Sequence, residues 1–250
     1  MVDKFKAVSV LVIVIILFTI GTKLGDMSNP KNINGNTYKI TQVVQAKEIE
    51  IKQVEVKPIL INKTQNNKGK VLIYSSHSCE KNLNSTVTDI GEDLAKKLEK
   101  KGFQVEHIKT DFANEQGYNK SYYASGNMLD KKNLKDYILI IDLHMDADNN
   151  PISTKVKDND VARLMFPNVS ENPNLIVETK LVQKIRKGLG SFDDNIFREN
   201  VTHYKKGISY YNLNKSPNMI LMEVGGNNDN LLSCKRANTL VSSAIERAIN

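Results

Sequence analysis

The chain is 250 residues long with 40% hydrophobic composition, enough for one principal globular domain plus appendages. A formal charge of +7 would suit nucleic acid, an anionic membrane surface or an acidic polymer such as a cell wall. The basic residues are scattered through helices and loops, with neither a dense cluster nor an aromatic-interleaved strand, which argues against nucleic acid.

At the N-terminus, Lys4 and Lys6 precede the apolar run Ala7 to Gly21, and Lys23 follows. A basic flank leading an apolar stretch is a secretory signal peptide or a signal anchor. The run of about 15 residues is short for a spanning helix of ~20 and long for a signal core. Its exit, FTIGTKLGD, has no clean small-x-small cleavage site, so residues 1–24 are expected to form an uncleaved anchor. That makes a single-pass protein of the cell membrane, with the rest of the chain outside the cytoplasm. Residues 25–69 read as an extended stalk. Its one patterned stretch, EIEIKQVEVKPILI, alternates at period two and suits one or two strands before the polar NKTQNNKGK.

A domain over 70–250 follows, alternating strands and helices. VLIYSS (71–76) predicts a buried strand, and DIGEDLAKKLEKKG (89–102) an amphipathic helix with a glycine stop. FQVEHIK (103–109) alternates as a strand, and YNKSYYASGNMLDKK (118–132) is helical although Gly126 weakens it. YILIIDL (137–143) and NMILMEV (218–224) are too apolar to have a wet face and belong at the centre of a covered sheet. VARLMFPNV (161–169) is a strand candidate broken by Pro167. Helices are expected over 174–190 and 230–250. The fold class is therefore α/β, a mostly parallel central sheet flanked by helices. Cys79 and Cys234 form no ligand motif.

Three central strands each end in a metal-ligand or acid/base residue. The first is followed by His77 and Glu80, the second by His144 and Asp146, the third by Glu223 ahead of Gly225 and Gly226. The carboxyl edge of an open α/β sheet is where ligands bind. Two histidines and a glutamate would supply the three protein ligands of a catalytic zinc, leaving a position for water, with a further carboxylate such as Glu223 free for proton transfer. Asp142 and Asp146 are caps or loop formers, or they orient His144 through its second ring nitrogen. His107 and His203 read as ordinary surface or groove histidines.

The ordered segments VLIYSSHSCE, GEDLAKKLEKKGFQVEHIKTD, YNKSYYAS, ILIIDLHMDAD and MILMEVGGNND resemble the stage II sporulation protein P family of cell-wall hydrolases. The resemblance covers Val71 to Asn250 and is in keeping with the N-terminal anchor. It implies a fold similar to zinc-dependent N-acetylmuramoyl-L-alanine amidases. It also implies amidase cleavage between glycan and stem peptide, combined with endopeptidase activity on peptide cross-links. His77, Glu80 and His144 are then zinc ligands and Glu223 the catalytic carboxylate. Peptidoglycan strands and stem peptides are the implied substrates, stage II sporulation proteins D and M the implied partners, and the mother-cell membrane the implied site of action in engulfment. The chain departs from the family pattern at Ser75, where a histidine is expected, and at Ala124 and Met145, where arginines are expected.

Two other function classes compete. The same departures would suit a non-catalytic peptidoglycan-binding or scaffold member of the fold. A serine hydrolase using Ser76 or Ser78 with His144 or His203 ranks last, because no Gly-x-Ser-x-Gly elbow is present.

Overall fold

The computed structural model describes residues 67–148, 152–198 and 203–249. The expected anchor and nearly all of the expected stalk lie outside the described residues. Among the described residues no helix is long and apolar enough to cross a membrane.

The central sheet has five strands, in the order β2-β1-β3-β9-β6. These are β1 (Lys70–Tyr74), β2 (Gln104–His107), β3 (Tyr137–Asp146), β6 (Leu164–Met165) and β9 (Met219–Gly226). The first four in the order run parallel, and β6 closes one edge antiparallel to β9. The two strands read as most apolar, β3 and β9, are neighbours in the interior of the sheet, as expected of strands covered on both faces. The candidate strand at 161–169 resolves into three short pieces. These are β5 (Asn159–Ala162), hairpinned to β4 (Ser153–Val156), then β6, and then β7 (Asn168–Val169), which pairs with β8 (His203–Tyr204). Pro167 sits at the last of these breaks, where a ladder donor would be missing.

Side-chain alternation sends the two faces of the sheet to two cores. Val71, Ile73, Leu139, Ile141, Leu143, Ile220 and Met222 pack with helices α1 (Val87–Lys100), α4 (Leu175–Leu189) and α6 (Leu231–Ile249). Leu72, Tyr74, Ile140, Met219 and Leu221 face the smaller core made with α2 (Phe112–Gln116), α3 (Ser121–Asp130) and the 3-10 segment Ser209–Lys215. The short helix α5 (Asp193–Ile196) lies between α4 and β8 in the chain.

Helix α1 begins two residues before the apolar pattern suggested. Thr86 caps it through a reciprocal box: its Oγ1 accepts from the Asp89 amide at 3.2 Å, and its own amide donates to Asp89 Oδ2 at 2.8 Å. The connection between β1 and α1, residues 75–86, is tied down by backbone hydrogen bonds. Glu80 lies in it, pinned by Glu80 N donating to His77 O at 3.0 Å and Val87 N donating to Glu80 O at 2.9 Å.

Candidate active site

The site grows from one face of the sheet. On β3 the residues sharing a face with Ile140 are Asp142, His144 and Asp146, and on β9 those sharing it with Leu221 include Glu223. The parallel register sets His144 opposite Glu223. His77 and Glu80 arrive from the turn after β1, three residues apart, so one turn presents both side chains to the same place.

The structure brings one ligand atom from each of His77, Glu80 and His144 within 4.8 Å of one another. Both imidazoles turn Nδ1 to the same carboxylate oxygen: His77 Nδ1 and His144 Nδ1 each lie 3.3 Å from Glu80 Oε1. Glu80 Oε2 accepts from the Met145 amide at 2.8 Å, which fixes the carboxylate plane. Behind His144, Nε2 lies 3.0 Å from Asp142 Oδ1, a distance of ion pairing without good hydrogen-bond alignment. Of the two aspartates read as caps or orienting groups, Asp142 therefore faces the second ring nitrogen. Asp146 instead pairs with Arg198.

These contacts bias the charges. Burial alone would raise the Glu80 carboxyl, but the His144 charge and hydrogen bonds from both imidazoles and the Met145 amide outweigh it and hold it at about 2. Burial likewise opposes charge on His144, and the Asp142 and Glu80 carboxylates reverse this and raise it well above the usual imidazole range. Glu223 goes the other way. Its carboxyl is pushed up to about 7, mainly by burial, with the Asp146 and Glu80 charges adding to the rise and His144 and Arg198 opposing it. Its Oε2 is buried without a hydrogen-bond partner.

Carboxylates of Asp142 and Glu80 on either side of the buried His144 ring form a site that favours positive charge. The donor set of two imidazole nitrogens and a carboxylate suits zinc. Tetrahedral bonds of about 2.0–2.1 Å would separate neighbouring donors by about 3.3–3.4 Å, the spacing that both histidines keep from Glu80.

A groove of about 320 Å³ opens over these residues. Tyrosines form much of its wall. Tyr118 stacks on His77 with ring centroids 3.7 Å apart, and its hydroxyl reaches Glu80 Oε1 at 3.4 Å. Tyr122 meets His77 edge-on at 4.8 Å and Tyr211 at 4.8 Å, and Tyr211 meets Tyr204 at 5.1 Å. Sequence reasoning assigned no role to these tyrosines or to Arg198. YNKSYYAS had signalled only the segment carrying Tyr118 and Tyr122, and no spacing marks Tyr204, Tyr211 or Arg198.

The remaining candidates separate. His107 packs beneath α1 against Gly91, on the opposite face of the sheet. His203 lies on β8, and its side chain is outside the described residues. Ser76 Oγ is fully buried and donates to Asp142 Oδ2 at 2.6 Å, while Ser78 Oγ donates to Asp111 at 3.0 Å. Both hydroxyls are engaged with aspartates, which leaves the serine-nucleophile reading without a poised serine–histidine pair. Of the three family departures, Ser75 is buried, Ala124 packs beside the smaller core and Met145 is buried at the groove. A guanidinium does approach Asp146, from Arg198. Cys79 and Cys234 are both free thiols, the first exposed and the second buried.

Among solved structures, the CwlD amidase from Clostridioides difficile, determined in complex with the GerS lipoprotein, matches with a TM-score of 0.47 and 16% identity. That match covers 72% of this chain and 96% of the amidase. The N-acetylmuramoyl-L-alanine amidase AmiC2 of Nostoc punctiforme matches with a TM-score of 0.43 and 21% identity, over 73% of this chain and 96% of that one. The amidase Ami1 from Mycobacterium abscessus gives 0.43 and 10%, over 73% and 97%. No curated protein matches the chain. The family model for Stage II sporulation protein P (SpoIIP) matches residues 23–246, and the chain therefore belongs to the stage II sporulation protein P family.

Proposed function

We propose that the protein is a membrane-anchored, zinc-dependent peptidoglycan hydrolase that cleaves the amide between N-acetylmuramic acid and the L-alanine of the stem peptide. The convergence of His77 Nδ1 and His144 Nδ1 on one oxygen of Glu80, beside the unpartnered Oε2 of Glu223, carries this reading.

His77, Glu80 and His144 would hold the ion. Zinc there would supply a Lewis acid and lower the pKa of a water to about 7. The chain's own residues divide the remaining work. The Met145 amide and Asp142 orient Glu80 and His144 before substrate arrives. Glu223 accepts the proton of the attacking water and returns it to the departing amine, a role suited to a carboxyl poised near neutral pH. Tyr118, Tyr122 and Tyr211 narrow the groove and exclude bulk water, which strengthens the charge interactions inside. Family membership supports a place in sporulation. We further assign the protein to engulfment, with peptide cross-links as a second substrate, and the basic-flanked apolar run supports residues 1–24 as its anchor in the mother-cell membrane.

The test is release of stem peptides from purified cell wall by the full chain in detergent. Release is expected to stop on chelation, to return with zinc and to be lost in Glu223→Gln. Turnover indifferent to chelation and to the substitution would overturn the mechanism. Binding to sacculi with no hydrolysis under zinc-replete conditions would instead favour the scaffold reading.

A further inference from the structure

A line of buried polar side chains runs from a left-handed turn to the back of His144. Four successive residues of the turn, none of them glycine, have positive φ: Ser209 (49°), Tyr210 (54°), Tyr211 (51°) and Asn212 (63°). L residues hold this conformation together only where surrounding contacts impose it. One such contact is the side chain of Asn212, whose Nδ2 donates to Tyr122 O at 2.9 Å and to Ser125 Oγ at 3.1 Å. Ser125 Oγ lies 2.9 Å from Ser76 Oγ, and Ser76 Oγ donates to Asp142 Oδ2 at 2.6 Å. The Ser76 amide holds the other oxygen, Asp142 Oδ1, at 2.8 Å, and that oxygen lies 3.0 Å from His144 Nε2. Ser76, Ser125, Asp142 and Asn212 are each at most 1% exposed.

The direction of this line follows from donor counting. A carboxylate only accepts, so Ser76 gives its single hydroxyl proton to Asp142 and can only accept from Ser125, whose one proton has two acceptors in reach, Ser76 Oγ at 2.9 Å and Tyr122 O at 3.2 Å. Ser125 in turn accepts from Asn212, which has two protons to give. With the Ser125 proton on the shorter of its two contacts, the donors point toward Asp142, an arrangement in which each bond polarises the next.

We infer that Ser76, Ser125 and Asn212 are positioning residues that act through Asp142 to hold the His144 ring with Nε2 at its back and Nδ1 toward Glu80 and the groove. The same line ties that ring to the turn that carries Tyr211, so the groove wall and the ligand set are built as one unit. Gly126 is the opening that permits it. A Cβ there would lie 2.7 Å from Asn212 Oδ1, so only glycine lets Asn212 seat against α3. The inference rests on the zinc reading only for its consequence at the metal, since the orientation of His144 is a property of the protein alone.

The experiment uses the ¹⁵N-labelled full chain in detergent. In the metal-free protein, long-range ¹H–¹⁵N correlations of the His144 ring are expected to show a single set of ring resonances, one fixed ring orientation, in the wild type. In Ser125→Ala and Asn212→Asp they are expected to shift or split into exchanging forms, with zinc affinity, measured by chelator competition, falling 10- to 100-fold. Gly126→Ala, which displaces Asn212 without deleting a polar group, is expected to reproduce the spectral change. Thermal denaturation identifies which variants are folded, and three independent substitutions guard against the loss of any one. Unchanged His144 resonances in folded variants would overturn the inference. Wild-type protein that takes up no zinc would overturn the zinc reading instead, while the ring resonances would still decide the positioning role.

Discussion

His144 and Glu223 are register partners on adjacent parallel strands, so the spacing between a candidate ligand and the free carboxylate is set by the backbone ladder of β3 and β9. The two groups can therefore be charged, neutralised or substituted separately without dismantling the frame that holds them.

Glu223 has to be ionised to accept a proton, and burial holds its carboxyl near 7. Activity as kcat/KM is therefore expected to fall about tenfold per pH unit below that value and to level off above it. A bound divalent cation would draw the midpoint downward, because positive charge favours the carboxylate. Glu223→Gln is expected to lose 10²- to 10⁴-fold in rate with zinc content unchanged. An acid limb that persists unchanged in the residual activity of Glu223→Gln would exclude this carboxyl as the base.

Arg198 and Asp146 act on Glu223 in opposite senses. Arg198 lowers its pKa and Asp146 raises it. Arg198→Gln should move the acid limb of the rate profile upward, and Asp146→Asn should move it downward. Parallel shifts in the two variants would show that the pair controls the site by packing rather than by charge.

Gly126 gives a contest between local propensity and tertiary fit. In an exposed helix interior, glycine to alanine gains about 1 kcal/mol. Here the added methyl would meet Asn212 Oδ1 at 2.7 Å, and both residues are buried. Gly126→Ala is expected to lower stability in denaturant unfolding, by about 1–3 kcal/mol as overpacking typically does. A gain in stability would show that the Asn212 side chain yields.

Glu178 titrates far from its ordinary range for a reason unconnected with catalysis. It is buried on α4, and burial pushes its carboxyl up to about 7 against one hydrogen bond from Asn172. The folded state therefore binds this proton more tightly than the unfolded state does. Its contribution to stability is full below about 4.5 and is lost as pH rises through about 7. Glu178→Gln keeps the acceptor for Asn172 and removes the charge. The variant is expected to be more stable than wild type at pH 8, by up to ~3 kcal/mol, and nearly equal at pH 4. Equal stability at both values, read by urea unfolding, would contradict the shift.

Much of the architecture was legible from side-chain patterning. The apolar runs at 137–141 and 219–222 read as interior strands, because neither face of them offers water a polar side chain. Parity along those strands already set Asp142 and His144 on one face and Glu223 on the face of Leu221. The i,i+3 spacing of His77 and Glu80 made one turn able to present both. Boundaries were less legible: α1 starts at Val87 because Thr86 and Asp89 form a capping box outside the apolar pattern.

Sequence alone thus determined the periodicities, the strand ends and the residue types capable of holding a cation. Register, sheet order and long-range approach belonged to the tertiary structure. Pairing His144 with Glu223 depends on how β3 and β9 align, which no local pattern encodes. The tyrosine wall and Arg198 reach the site from segments distant in the chain, through burial that only the assembled sheet creates. The clearest case is Gly126, which reads locally as a weak point in a helix and becomes, once α3 meets the left-handed turn, the opening that seats Asn212.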